Sequence, residues 1–188
     1  MASKSWSRYL TVSAGDLRNW KDVEKVMENL NREIERIQGG SLTGLIKAAM
    51  LIRNETEHGA VKTPVDLGNL RASWFVASSG GKVLKGGGKS HTSEGQSAKF
   101  VGPKAGDLVS GHSSMLMEMQ GQAETLANVM YGPFLIMGYT ANYALWVHEN
   151  IGAHFKRPGA GPKWFEAAIK SQRDNIIKVI KENAKVKR

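Results

Sequence analysis

His148, Glu149 and His154 are the residues whose types could hold a metal ion or run a hydrolysis. A zinc helix of the His-Glu-x-x-His type sets its two imidazoles one turn apart on one face. Here the histidines stand six positions apart with Gly152 between them, so that pattern is not met. The run Lys82 to Ser90 offers glycines and lysines for a phosphate. A P-loop, however, needs Gly-x-x-x-x-Gly-Lys-Ser/Thr between a strand and a helix. Without that spacing the run reads as a flexible loop. No nucleophile stands with a base and an orienting group, and no carboxylate pair is recognisably placed for acid–base work. Enzymatic chemistry is therefore not expected, and no cofactor or metal is called for. A hydrolase using His148 and Glu149 is the least supported function.

Charge offers different chemistry. The 188 residues carry 26 Lys and Arg against 17 Asp and Glu, a formal charge of +9. Such an excess asks for an anionic neighbour or a charged assembly surface. It is uneven: Asp16 to Gln38 is nearly neutral, whereas Lys163 to Arg188 has eight basic residues against three acidic. Lys178, Lys181, Lys185, Lys187 and Arg188 are accordingly candidate DNA contacts. A free nucleic-acid-binding protein, gripping phosphates with this C-terminal helix and the lysine loop, is one function class. Ordinary solvated lysines are the plain alternative.

The string Thr63-Pro64-Val65-Asp66-Leu67-Gly68-Asn69-Leu70-Arg71-Ala72-Ser73 is the most specific in the chain. Pro64 fixes its own φ and pushes Thr63 into extended backbone, so a preceding helix must stop. Asp66 is expected to cap the backbone N–H groups near Gly68 and Asn69. Gly68 permits whatever φ the turn demands. Leu70 to Val76 reads as a strand, with Leu70, Trp74 and Val76 on one face and Arg71, Ser73 and Phe75 on the other. Pro64, Asp66, Gly68, Asn69 and Leu70 thus form a structural corner between a helix and a strand.

The elements around the corner follow from periodicity. Trp6 to Val12 suggests a short strand, and Ser13 and Asp16 compete to cap the next helix. Leu17, Trp20, Val23, Met27, Leu30, Ile34 and Ile37 recur at three and four residues; a coiled-coil zipper is the sharper alternative, but the stripe is short for one and is expected to face the core. Gly39-Gly40 is expected to end that helix, and Ser41 to Glu57 to return antiparallel as the second arm of a hairpin. Ser79 to Ser113, with nine Gly and six Ser in 35 residues, buries too little apolar surface to offset ordering costs of about 1–2 kcal/mol per residue. It is expected to be a flexible insertion. Met115 to Met130 reads as a helix interrupted at Gly121. Phe134 to Tyr139 and Tyr143 to His148 read as a strand hairpin, and a final helix starts at Pro162 and frays from Lys181.

The length suits one domain, 1–188. Without cysteine there is no disulfide and no Cys-ligated metal, as suits a reducing cytoplasm. The start lacks the apolar core of a signal peptide, and runs such as Phe134 to Met137 are too short to cross a bilayer. A soluble chain with no membrane partner is expected.

The corner string also resembles the signature of the tail-component (tail-completion, neck) proteins of long-tailed bacteriophages. Asn142 to Glu149, containing Val147-His148-Glu149, and Gly161 to Ala168, containing Pro162-Lys163-Trp164-Phe165, follow in the order that family uses. Leu67 stands where Thr is commonest, and the Gly-rich insertion is longer than usual. The resemblance implies an α+β fold: an antiparallel β-sheet flanked by an N-terminal helical hairpin and a C-terminal helix. It implies a structural virion protein completing the head-proximal end of the tail and helping to join it to the head. Its partners would be copies of itself in a ring, expected to be a hexamer, and neck and tail neighbours such as a head–tail adaptor, tail terminator or tail tube. DNA would run in the channel. On this reading edge strands and loops join subunits, and Arg71, Lys82, Lys85 and Lys89 are assigned to the assembly interface.

Overall fold

The computed structural model describes residues 20–85 and 100–185, with the side chains of 24–84 and 100–185. The expected first strand and helix caps lie outside the described residues, as do Lys89, Lys187 and Arg188. In chain order the elements are α1 (Trp20–His58), α2 (Asn69–Ala72), β1 (Trp74–Ser78), β2 (Val83–Lys85), α3 (Ala105–Met130), β3 (Leu135–Tyr139), α4 (Ala144–Glu149), α5 (Trp164–Ser171) and α6 (Arg173–Ala184). This is an α+β fold, as expected. Internal contacts divide the chain into two compact units, 1–36 and 37–188, with the division inside α1.

The second unit is built on an antiparallel sheet of order β2-β1-β3. Val76 lies opposite Leu84 on one side and Met137 on the other. The central strand Trp74-Phe75-Val76-Ala77-Ser78 is buried throughout, because a helix covers each face of the sheet. Trp74 and Val76 pack with Ala49 and Met50 of α1, while Phe75 and Ala77 pack with Leu116 and Met119 of α3. Alternation along a strand sends neighbours to opposite faces, and each fully buried large side chain contributes about 1.5–3 kcal/mol.

Several local expectations are corrected. The helical hairpin is one continuous helix, because α1 runs straight through Gly39-Gly40. A glycine inside a helix costs about 1 kcal/mol relative to alanine, but here the missing side chains make room. A Cβ on Gly40 would lie 2.3 Å from the carbonyl oxygen of Asn183, and one on Gly44 would lie 2.9 Å from the Cα of Ile180. The backbone of α6 thus occupies the space the glycines leave, and Lys47 Nζ donates to Asn183 Oδ1 at 2.8 Å beside it. The apolar stripe does not face the core over its described part: Leu30, Ile34 and Ile37 are exposed and Met27 is half-buried.

Of the expected flexible insertion 79–113, residues 86–99 lie outside the described residues, and much of the rest is regular structure. Val83–Lys85 pairs with β1, and α3 begins at Ala105 and passes Gly121 without interruption. Tyr143 to His148 is not a strand: its core is the helix α4, with Val147 N–H donating to Tyr143 C=O at 3.1 Å. The run is apolar almost throughout, so period two and period 3.6 fit it equally. Leu70 to Ser73 is likewise helical turn rather than strand, and β1 starts at Trp74. The final helix is two, α5 and α6, meeting at Gln172, and α6 holds to Ala184 instead of fraying from Lys181. Gln172 Nε2 donates to Glu55 Oε2 at 2.9 Å, which ties this junction to α1.

Candidate assembly interface around the Thr63–Ser73 corner

Pro64 is buried and the helix before it has already stopped at His58. Thr63 is held from three sides. Its N–H donates to Thr56 C=O at 2.7 Å, its hydroxyl lies 3.1 Å from the same oxygen, and Tyr139 Oη lies 3.2 Å from that hydroxyl. Lys62 forms a parallel bridge with Ala160, its N–H donating to Gly159 C=O at 2.8 Å. Gly68 takes φ +91°, a left-handed conformation that strains any residue with a Cβ. One helical turn follows, with Ala72 N–H donating to Gly68 C=O at 3.0 Å and Ser73 Oγ to Leu70 C=O at 2.8 Å.

Asp66 does not cap this turn. No side chain caps α2; Asp66 is exposed and pairs with Lys156 at 3.1 Å. The turn closes on the left-handed Gly68 instead, so the expected side-chain cap is not needed there. Asn69 has a role its place in the string did not announce. Its Nδ2 donates to Val101 C=O at 3.0 Å and its Oδ1 accepts from Val101 N–H at 2.8 Å. This two-pronged clamp fixes the chain just before α3 against the corner.

Beneath the corner lies a buried charge cluster. The carboxylate of Glu57 meets Arg53 at 2.9 Å, Arg71 at 2.6 Å and Arg157 at 3.4 Å. Arg157 also donates to the backbone oxygens of Thr63 (2.9 Å) and Glu57 (2.7 Å), and Arg53 to that of Arg71 (3.3 Å). Arg53 stands 5.1 Å from the ring of Trp74, a cation–π contact. One carboxylate thereby joins α1, α2 and the loop 150–163. In sequence the only sign was Arg53 and Glu57 four residues apart, a spacing typical of exposed helix pairs. Arg71, assigned to assembly from sequence, has this intramolecular partner.

Three stretches far apart in sequence meet over this base. Leu70 of the corner, Ala144 and Val147 of α4, and Trp164 and Phe165 of α5 pack together with Tyr139 and Ala141. His148 sets its ring edge-on to Trp164, centroids 4.8 Å apart, and its backbone oxygen accepts from Lys163 N–H at 2.8 Å. Glu149 accepts from His148 Nδ1 at 2.8 Å and forms a short ion pair with Lys163. The hydrogen bonds from Lys163 and His148 hold the Glu149 carboxyl below its ordinary pKa, and that from Glu149 holds Lys163 above its own. Compared with protein-family models, curated proteins and solved structures, the chain has no significant match.

The same region carries exposed apolar surface. Leu145 and Trp146 of α4 and Ile151 just beyond it are exposed, Trp146 at 79% of its full area. The corner itself floors a cleft of about 550 Å³ that Tyr143, Val147 and Phe155 help to line. Burial and the nearby Asp66 carboxylate raise the Tyr143 pKa. His154 lines this cleft, apart from His148 on Trp164; among the described residues no group of three or more metal-ligating side chains is gathered. Lys82 is exposed at the start of β2, which Lys85 ends. Lys178 and Lys181 are exposed on α6 and Lys185 just after it. No helix among the described residues is long and apolar enough to cross a membrane.

Proposed function

We propose that this chain is a structural protein of the phage neck, not an enzyme, which completes the head-proximal end of the tail and helps join it to the head as a ring of subunits in the virion. The observation that supports this reading is convergence. The three stretches that carry the resemblance, 63–73, 142–149 and 161–168, pack into one cluster through Leu70, Val147 and Trp164. Segments that matched the signature by chance would have no reason to meet. The exposed Leu145, Trp146 and Ile151 beside that cluster supply apolar contact for a neighbouring subunit or tail protein. β2 and β3 are the outer strands of the sheet, the positions at which a neighbour's strand would pair. A ring on the tail axis surrounds DNA, which gives the +9 charge and the exposed Lys178 and Lys181 a use.

Electron microscopy of the purified protein, with and without a tail fraction, tests the reading. The expected outcome is added density at one tail end, or free rings that bind there. Protein that never associates with tail ends refutes it.

A further inference from the structure

The described part of α1 in the first unit carries Val26, Met27, Leu30 and Ile34 along one side, with Val26, Leu30 and Ile34 exposed at 57%, 56% and 45%. In sequence the stripe runs Trp20, Val23, Met27, Leu30, Ile34, Ile37, spaced 3-4-3-4-3. That alternation repeats every seven residues, the a and d positions of a coiled coil, and is the spacing a helix needs to bury a seam against another helix. A helix meant only to cover a core has a wider and less regular apolar face.

We infer that residues 20–38 of α1 join one copy of this chain to a second copy, parallel and in register. Charge selects this occupant. The chain carries +9, so its copies repel, but Asp16 to Gln38 has five basic and six acidic residues, so a seam here adds almost nothing to that repulsion. In the parallel register the positions flanking the seam pair Val26 with Asn31 and Glu33 with Gln38, with no like charges opposed. A nucleic acid would find no cationic excess here, and a membrane surface would find none of the lysine and arginine richness that interfacial helices use. Helix length is no obstacle, because α1 continues to His58 and the seam need not nucleate its own helix. The inference stands apart from the neck reading, since it concerns which part of the chain joins copies, whatever they build.

Sedimentation equilibrium of the full chain, wild type against the double variant Leu30→Gln/Ile34→Gln, tests it. The wild type is expected to self-associate with a dissociation constant at or below about 10 µM. The variant should associate at least ~10-fold more weakly and, diluted until both proteins are dissociated, melt at the wild-type temperature, because both side chains are exposed in the single chain. A wild type that stays monomeric at about 100 µM, or a variant that assembles equally well, overturns the inference. So does a variant that unfolds, since the stripe would then be packed within the subunit. Orientation has its own test in a chain without cysteine. Ile37→Cys should form a disulfide between copies under mild oxidation if the helices are parallel, and failure to do so while association persists overturns the parallel register.

Discussion

Replacing Gly39 and Gly40 separately by alanine puts two neighbouring residues to opposite fates. Both sit inside α1, so each substitution gains the helix preference of alanine, about 0.8–1.0 kcal/mol. At Gly39 nothing lies within 4 Å of the added Cβ, and the whole gain is expected to appear. At Gly40 the Cβ would lie 2.3 Å from the carbonyl oxygen of Asn183. A backbone oxygen cannot swing aside like the end of a long side chain, so α6 must shift. Overpacking of this kind costs about 1–3 kcal/mol. Gly39→Ala should therefore be stabilised by up to about 1 kcal/mol, and Gly40→Ala should end about 1–3 kcal/mol below it. At roughly 2–4 °C per kcal/mol for a chain of this size, thermal melts resolve the difference. Equal shifts for the two variants would show that α6 does not lie on Gly40. A loss at Gly39 as large as at Gly40 would restore the turn between two helices that the Gly-Gly pair suggests in sequence.

Glu57→Gln should destabilise the fold by about 3–5 kcal/mol in urea unfolding, because it leaves three arginines around a buried site without their carboxylate; a loss under about 1 kcal/mol would mean the cluster is solvated. Trp146→Ala, at a 79% exposed site, should leave the melting temperature within about 2 °C of wild type while lowering tail-end binding in pull-down, and unchanged binding would remove α4 from the interface. Replacing Lys178, Lys181 and Lys185 by Gln should weaken DNA binding by the isolated protein and flatten its salt dependence by up to about three contacts' worth of slope; an unchanged slope makes them ordinary solvated lysines.

What was legible in the sequence was whatever one chain direction determines locally. The alternation separates Trp74 and Val76 from Phe75 correctly, since a strand residue has only two sides to choose between, whereas Leu70, Arg71 and Ser73 of the same expected strand belong to the helical turn. The left-handed turn at Gly68 was equally plain. Partners were not legible. The stripe on α1 has the right helical period, but period does not say whether the face meets a core or another chain, and it was assigned to the core. Gly39-Gly40 looks like a break because the backbone of Asn183, which accounts for Gly40, lies more than a hundred residues away. Tyr143 to His148 was too short and too uniformly apolar for either period to win. At the candidate site, the joining roles of Glu57 and Asn69 depend on Arg157 and Val101, partners brought close only by the fold.

A place at the neck of the virion can be seen directly by immunogold labelling of intact particles with antibody against this chain. Gold at the single junction between head and tail is the predicted result. Gold along the tail, at its distal tip or on the head, or particles free of the chain altogether, would contradict it.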